Sequence, residues 1–207
     1  MYNQSILFIS DYSKWSQSAY QYIQSVFSNT VNLFYERGDF CIEVVERWQG
    51  DWIFSFKSEL VLSQDILKKA KYGALNFHPS PPKYRGIGGY ILALKNADKK
   101  FGVTCHHMNK NIDSGQIIMT NYFDIQRDEN VLSLYHKTAF HCLELLFKVV
   151  EHICLEKELP LSNEIWGDDL YKYNEFKDDL RILRTVEIRE VRNAYNIIDA
   201  VGTIKSL

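Results

Sequence analysis

The chain has 207 residues, of which 46% are hydrophobic and 24% charged, a balance typical of a globular protein with one substantial core. Its 24 basic and 26 acidic side chains leave a net charge of −2, so no overall basic field would attract a nucleic acid. No stretch approaches the ~18 apolar residues of a membrane span. We therefore expect neither a nucleic acid nor a membrane as partner.

The cysteines and the start of the chain predict a cytoplasmic protein. The opening apolar run, Ser5–Ser10, is too short for a secretion signal. No cysteine pair has Cys-x-x-Cys spacing, and all four cysteines lie in apolar patterns that are typical of free, buried thiols: Cys41, Cys105, Cys142 and Cys154.

The N-terminal third alternates predicted strands and helices. Ser5–Ser10 has the pattern of a strand buried on both faces of a parallel sheet. A helix follows, capped by Ser10 or Asp11, with an apolar residue at every fourth position: Trp15, Ala19, Ile23 and Phe27. Strands are predicted at 31–35 and 51–56, with an irregular or helical segment at 40–48. This order predicts a doubly wound, mostly parallel Rossmann-like α/β sheet with helices on both faces.

Residues 63–72 carry the signals of a short helix. Ser63 is a candidate N-cap, Asp65 lies in the first turn, three lysines lie in the last turn, and Gly73 follows. Because lysines at this end compensate the helix dipole, they need no ligand.

An apolar strand ends abruptly at His78, because three prolines follow within four positions. Asn76 and His78 are two residues apart, so their side chains share one face at the carboxyl end of this strand, where open α/β sheets bind ligands. Asp113, in an Asp-Ser-Gly turn, can reach the same point.

The remaining core elements are a helix at 88–96, strands at 102–108 and 116–123, and a long amphipathic helix at 131–153. In the first of these strands His106 and His107 point to opposite faces, which does not suit zinc, so we expect no metal. One of the two histidines is expected to pack at a sheet surface and the other to lie in solvent or near the site. From Pro160 the chain becomes charged and aromatic, with a helix-like pattern at 187–198. We predict a core domain at 1–158 and an appendage at 159–207 that docks on the core or on a partner subunit.

These motifs resemble the 10-formyltetrahydrofolate-dependent formyltransferases. Members carry Asn-x-His-Pro-Ser, a Lys-Tyr-x-Gly-type loop, and Gly-Val-Thr leading to Asp-x-Gly, which here occupy 76–80, 83–86, 102–104 and 113–115. The resemblance implies a catalytic set of Asn76, His78 and Asp113. Asn76 would donate to the developing oxyanion, His78 would accept the proton of the amine, and Asp113 would orient the imidazole.

The resemblance also implies where the ligands bind. The 10-formyltetrahydrofolate would contact the loop after the third strand and the loop before Asp113, at Lys57, Ser58, Glu59, Leu60, Leu62, Asn111 and Ile112. The acceptor would contact the proline-rich loop, at Pro79, Tyr84, Arg85, Gly86 and Ile87.

The loop at 81–89 is most similar to that of the sugar N-formyltransferases, which implies a nucleotide-linked amino sugar as substrate, a homodimer and a role in O-antigen synthesis. Candidates to bind the diphosphate are Arg181, Arg184, Arg189 and Arg192. Two alternatives stay open: an enzyme like glycinamide ribonucleotide formyltransferase, although those relatives have glycines where this chain reads Ser10-Asp11-Tyr12-Ser13, and an inactive folate- or sugar-binding relative. The tRNA-formylating relatives carry a large C-terminal barrel, for which we expect no room.

Overall fold

A six-stranded sheet forms the centre of the computed structural model, which describes residues 1–39 and 43–181. The strand order across the sheet is β2 (Phe27–Phe34), β1 (Tyr2–Ser10), β3 (Gly50–Phe56), β4 (Ala70–His78), β6 (Lys100–His107) and β7 (Ile117–Asp124). The first four strands are parallel, while β6 and β7 are antiparallel to their neighbours. The predicted mostly parallel, doubly wound sheet is confirmed.

Helices cover both faces of the sheet, as predicted. On one face α5 (Val131–Cys154) contacts both α1 (Lys14–Val26) and α4 (Gly89–Lys95), and the short α2 (Glu43–Arg47) and α3 (Gln64–Leu67) cover the other face. Each face of the sheet has its own hydrophobic core, and alternate residues of β1 point into the two cores. Ile6 and Phe8 pack towards α1 and α5, and Leu7 and Ile9 pack towards α2 and α3.

Helix α1 begins later than the sequence predicted. Its N-cap is Ser13, whose side chain accepts from the Ser16 amide, and neither Ser10 nor Asp11 caps it. The Asp11 carboxylate instead accepts from the Ser13 amide and from Lys57. Phe27, predicted as a helical position, is the first residue of β2.

The predicted helix at 63–72 was too long. Ser63 does cap α3, but the helix ends at Leu67 and β4 begins at Ala70. Pairing with β3, in which Gly50 lies opposite Ala70, places Lys71 and Tyr72 in a strand. A sheet ladder thus overrides the local helical signals in this segment.

The C-terminal segment contacts the core at several points. A second small sheet pairs β5 (Arg85–Gly86) with β8 (Leu170–Tyr171), residues 173–181 are helical, and Phe176 and Leu180 join the main core. Cys105 and Cys142 are buried free thiols, whereas Cys154 is only half-buried, contrary to expectation. Cys41, Arg184, Arg189, Arg192 and the predicted helix at 187–198 lie outside the described residues.

Two features are absent from residues 1–39 and 43–181. No helix in these ranges is long and apolar enough to cross a membrane. Within the same ranges no group of three or more histidine, cysteine, aspartate or glutamate side chains is arranged so that it could hold a metal ion.

Candidate active site

The predicted catalytic residues meet at the carboxyl end of β4. Asn76 and His78 lie on one face of this strand, and β6 runs antiparallel beside it with His106 directly opposite Asn76. Asp113 lies in the loop that follows β6. His78, His106 and Asp113 are all buried.

The carboxylate of Asp113 joins this group together. Its Oδ2 accepts from the Gly86 amide at 2.8 Å and lies 3.5 Å from His78 Nδ1. Its Oδ1 accepts from Asn76 Nδ2 at 3.2 Å and lies 3.3 Å from His106 Nε2. One carboxylate therefore faces both imidazoles and the amide.

The charge of Asp113 is stabilised despite burial. Burial alone would raise its pKa, but the charge of His78, the hydrogen bond and charge of His106 and the Gly86 amide together lower the pKa to about 2. Asp113 is therefore ionised at neutral pH and can stabilise an imidazolium beside it.

The surroundings of His78 determine which of its nitrogens can exchange a proton. Nε2 lies 2.9 Å from the carbonyl of Tyr84, and because a carbonyl only accepts, Nε2 must carry a proton. This leaves Nδ1, on the side of Asp113, as the nitrogen that gains or loses a proton.

His106 is a site residue that the sequence did not distinguish from His107, since it placed one of the two at a sheet surface and the other in solvent or near the site. Its Nδ1 donates to the His107 carbonyl at 2.8 Å, and its Nε2 lies 3.1 Å from Asn76 Nδ2. Asn76 Nδ2 thus donates to Asp113 and lies beside His106 Nε2, so donation to a ligand oxygen requires one of these contacts to be exchanged. Strand alternation could have selected His106 only if its pairing opposite Asn76 had been known. That pairing is a feature of the tertiary structure.

A cleft of about 1030 Å³ opens above these residues. Asn76, His78, His106 and Asp113 line it, and so do all of the residues predicted to contact the folate: Lys57, Ser58, Glu59, Leu60, Leu62, Asn111 and Ile112. Of the predicted acceptor contacts, Pro79, Gly86 and Ile87 line the cleft.

Tyr84 and Arg85, also predicted to contact the acceptor, point elsewhere. The hydroxyl of the buried Tyr84 donates to Asp98 at 2.6 Å. The guanidinium of Arg85 donates to backbone carbonyls, among them that of Asp113 at 2.8 Å. In this structure both residues hold the loops around the site, and their contact with a ligand stays a prediction.

A buried lysine forms part of the cleft wall. Lys57 Nζ donates to Asp11 at 3.0 Å, to Ser13 Oγ at 3.1 Å and to the Tyr135 hydroxyl at 3.1 Å. Burial would lower the pKa of Lys57, but the charge of Asp11 and the contacts with Tyr135 raise it above its usual value. The pKa of Asp11 is lowered in turn, because the charge of Lys57 and bonds from Ser13 and Ser16 outweigh its burial. This ion pair ties the ends of β1 and β3 to α5.

The cleft suits a folate in size and chemistry. Its volume of about 1030 Å³ lies slightly above the range typical of small-molecule and cofactor sites, roughly 300–1,000 Å³. The apolar side chains of Leu60, Leu62 and Ile112 adjoin polar backbone of the same loops, a combination that accommodates a flat heteroaromatic ring with hydrogen-bonding edges.

Comparison with known proteins identifies the family. Residues 26–150, which include the whole of β4, β6 and the Asp113 loop, match the family described as Formyl transferase. The chain belongs to the formyl transferase family.

Two relatives show how far the likeness extends. The bifunctional polymyxin resistance protein ArnA of Wigglesworthia glossinidia brevipalpis is 38% identical over 134 residues, which cover 64% of this chain and 20% of ArnA. A methionyl-tRNA formyltransferase of Wolbachia pipientis subsp. Culex pipiens is 31% identical over 125 residues, covering 58% of this chain and 41% of the relative. The matched part is thus less than half of either relative.

Solved structures share the fold of this family member. An uncharacterised protein of Mycobacterium tuberculosis superposes with a TM-score of 0.70 at 19% identity, covering 84% of this chain and 77% of the other. An N-formyltransferase of Helicobacter canadensis, in complex with folinic acid and dTDP-3-aminofucose, has a TM-score of 0.67 at 18% identity, with coverage of 84% and 72%. HypX of Aquifex aeolicus with tetrahydrofolic acid has a TM-score of 0.67 at 21% identity, with coverage of 80% and 29%.

Proposed function

We propose that this formyl transferase moves the formyl group of 10-formyltetrahydrofolate onto the amine of a nucleotide-linked amino sugar. The observation that carries the proposal is that Asn76, His78 and Asp113 meet in a cleft lined by both predicted folate loops. The Helicobacter canadensis protein, which shares the fold, was solved with a folate and a dTDP-amino sugar together, and this supports both halves of the proposal.

The side chains of the site match the needs of formyl transfer. In the reaction the amine nitrogen bonds to the formyl carbon, negative charge develops on the formyl oxygen and the amine loses a proton. The bond from the formyl carbon to the folate nitrogen then breaks, and that nitrogen takes up a proton. The Asn76 amide is suited to donate to that oxygen once it exchanges its bond with His106 or Asp113. His78 Nδ1 takes the proton, since Nε2 is held by the Tyr84 carbonyl, and the ionised Asp113 stabilises the imidazolium that forms.

Two sequence features favour an amino sugar as the acceptor. The proline-rich loop is similar to that of the sugar enzymes, and the turn after β1 carries Asp11 and Ser13 where enzymes acting on glycinamide ribonucleotide have glycines. The methionyl-tRNA formyltransferase relative keeps initiator tRNA as a second candidate, against which stands the net charge of −2.

A mass-spectrometric assay tests the proposal. The protein is incubated with 10-formyltetrahydrofolate and, separately, with thymidine-, uridine- and guanosine-diphosphate amino sugars, glycinamide ribonucleotide and methionyl-tRNA. Formylation of an amine adds about 28 mass units, and we expect this gain with an amino sugar. Product with only glycinamide ribonucleotide or methionyl-tRNA would refute the sugar assignment.

Alanine variants of the site residues test whether product formation depends on this site. We expect His78→Ala and Asn76→Ala to lower turnover by roughly 100-fold or more. The matched control is His136→Ala on α5, where the imidazole accepts from Trp15, and it should retain turnover. Stabilisation by folate without product from any amine would favour the inactive folate-binding relative.

The same proposal includes a homodimer and a role in O-antigen synthesis, which rest on the resemblance to the sugar N-formyltransferases. It also includes a cytoplasmic location, which rests on the cysteine pattern and the short first apolar run. Light scattering on the purified protein tests the dimer directly. A monomer at all accessible concentrations would contradict it.

A further inference from the structure

Residues 162–171, here called the strap, cross the molecule beside the active site. The strap begins along β7, where the Ser162 amide donates to the Ile117 carbonyl at 3.0 Å. The Glu164 carboxylate then accepts from the hydroxyls of Thr120 and Tyr122. The Gly167 amide donates to the Pro82 carbonyl at 2.9 Å, and the strap ends in β8. It is therefore attached both to the sheet and to the proline-rich loop.

Trp166, in the middle of the strap, contacts both histidines of the site. Its ring centroid lies 4.8 Å from that of His106, nearly perpendicular at 85°, and 6.0 Å from that of His78 at 62°. Its Nε1 donates to the Gly115 carbonyl at 2.7 Å. His78 and His106 line the cleft and Trp166 is not among its lining residues, so the indole covers the imidazoles on a side away from the cleft.

Arg85 connects the strap to the Asp113 loop. Its Nε donates to the Asp113 carbonyl at 2.8 Å, and its two terminal nitrogens donate to the carbonyls of Ile112 at 3.1 Å and Gly167 at 3.2 Å. The residue after Trp166 is therefore fixed to the backbone that carries the carboxylate. The strap thus contacts the two imidazoles through Trp166 and is connected to the Asp113 backbone through Arg85.

We propose that Trp166 is a positioning residue: it holds the rings of His78 and His106 in the orientation in which they face Asp113, and it keeps water from the back of both rings. The imidazoles are only 5% and 3% exposed, and the indole is one of the groups that cover them. Water admitted there would weaken the attraction between imidazolium and carboxylate and free the rings to turn. The kinetic part of this inference rests on the proposed function, whereas the shielding does not.

Proton exchange tests the shielding without any substrate. The His78 Nε2–H on Tyr84 and the His106 Nδ1–H on His107 should give two slowly exchanging imidazole signals in the nitrogen-correlated NMR spectrum of the wild type. In Trp166→Ala we expect both to exchange at least ~10-fold faster, because the cover is lost. The matched control is Ile165→Ala, one residue away and 85% exposed, which should keep both signals.

Kinetics test the positioning. Trp166→Ala should lower kcat roughly tenfold and change KM less than about threefold, because a loosened imidazole affects proton transfer more than binding. Trp166→Phe, which keeps an aromatic ring but loses the bond to Gly115, should recover most of kcat. Ile165→Ala should match the wild type.

The outcomes separate the two proposals. Should Trp166→Ala fail to fold, Trp166→Leu takes its place, since leucine fills part of the volume but cannot contact both rings. Wild-type exchange of both imidazole protons in the alanine or leucine variant would overturn the role of Trp166. Fast exchange in that variant supports the role, even if no amine is formylated and the proposed function fails.

Discussion

Asp113 adopts a backbone conformation that is uncommon for a residue with a side chain. Its φ of +42° lies in the left-handed region, where aspartate is among the few residues tolerated. Three hydrogen bonds hold it there: the Asp113 carbonyl accepts from Arg85, and its carboxylate accepts from the Gly86 amide and from Asn76. The cost of this conformation is offset by contacts that aim one carboxylate at two imidazoles.

The lowered pKa of Asp113 predicts a specific loss of stability in acid. Its pKa is about 2 in the folded protein and near ~3.9 in an unfolded chain. Because the folded value is depressed, the stabilisation is complete above ~3.9 and disappears as the pH falls through about 2. The wild type should therefore lose about 2 kcal/mol of unfolding free energy relative to Asp113→Asn between pH 5 and 2.

Urea unfolding of both proteins at a series of pH values measures this difference. Asp65→Asn, whose carboxylate is 92% exposed, is the control and should give a curve parallel to that of the wild type. Parallel curves for the wild type and Asp113→Asn would show that the carboxylate gains nothing from its partners in the fold.

At the scale of elements, the turn between β1 and α1 and the end of β3 form one unit. Lys57 has a φ of +53° and its ammonium reaches back to Asp11 and across to Tyr135 on α5. Because the ammonium is buried and makes three hydrogen bonds, it joins three elements at the wall of the cleft.

Replacing this lysine should destabilise the protein strongly. Lys57→Met leaves Asp11 without its cation, and we expect a loss of about 3 kcal/mol in the free energy of unfolding. The same change in an Asp11→Asn background should cost clearly less, because no carboxylate is then left unpaired. Lys95→Met removes an exposed lysine 3.8 Å from Asp179 and should cost less than about 0.5 kcal/mol. Equal costs at the two lysines would contradict a structural role for the buried pair.

At the scale of the whole molecule, the C-terminal segment and the sheet share one core. Phe176 is 5% exposed, belongs to the main core and packs against Gly88 at the start of α4. Leu180 is buried in the same core and lines the cleft. These contacts favour an appendage that docks on its own core, although the predicted boundary between 158 and 159 stays a prediction.

A core substitution in this segment tests the docking. Phe176→Ala should lower the free energy of unfolding by about 3 kcal/mol within one cooperative transition, because it leaves a cavity beside α4. Phe140→Ala on α5, where the ring is 46% exposed, should cost about 1 kcal/mol or less. A separate early transition for the variant, with the main transition unchanged, would mean that the segment unfolds independently of the sheet.

The sequence by itself determined the order of strands and helices and the face that carries Asn76 and His78. Continuous apolar runs, prolines after His78 and three-and-four spacing at 131–153 are local signals, and the sheet and α5 followed them closely. The family resemblance also selected two loops for folate binding, and their residues line the cleft, although their contact with a folate stays a prediction. In each case the information lies within a few neighbouring residues, so it can be read before the chain folds.

Only the tertiary structure decided which residues meet across elements. His106 joined the site because β6 pairs antiparallel with β4 and sets it opposite Asn76, and Tyr84 and Arg85 turned away because Asp98 and the Asp113 loop bind them. Strand pairing also makes α3 shorter than the predicted helix, because residues 70–72 belong to β4, which pairs with β3. Trp166 reached the two imidazoles from more than fifty residues along the chain, through strap contacts with β7 and the proline-rich loop. Such partnerships depend on strand register and loop closure, which no local pattern encodes.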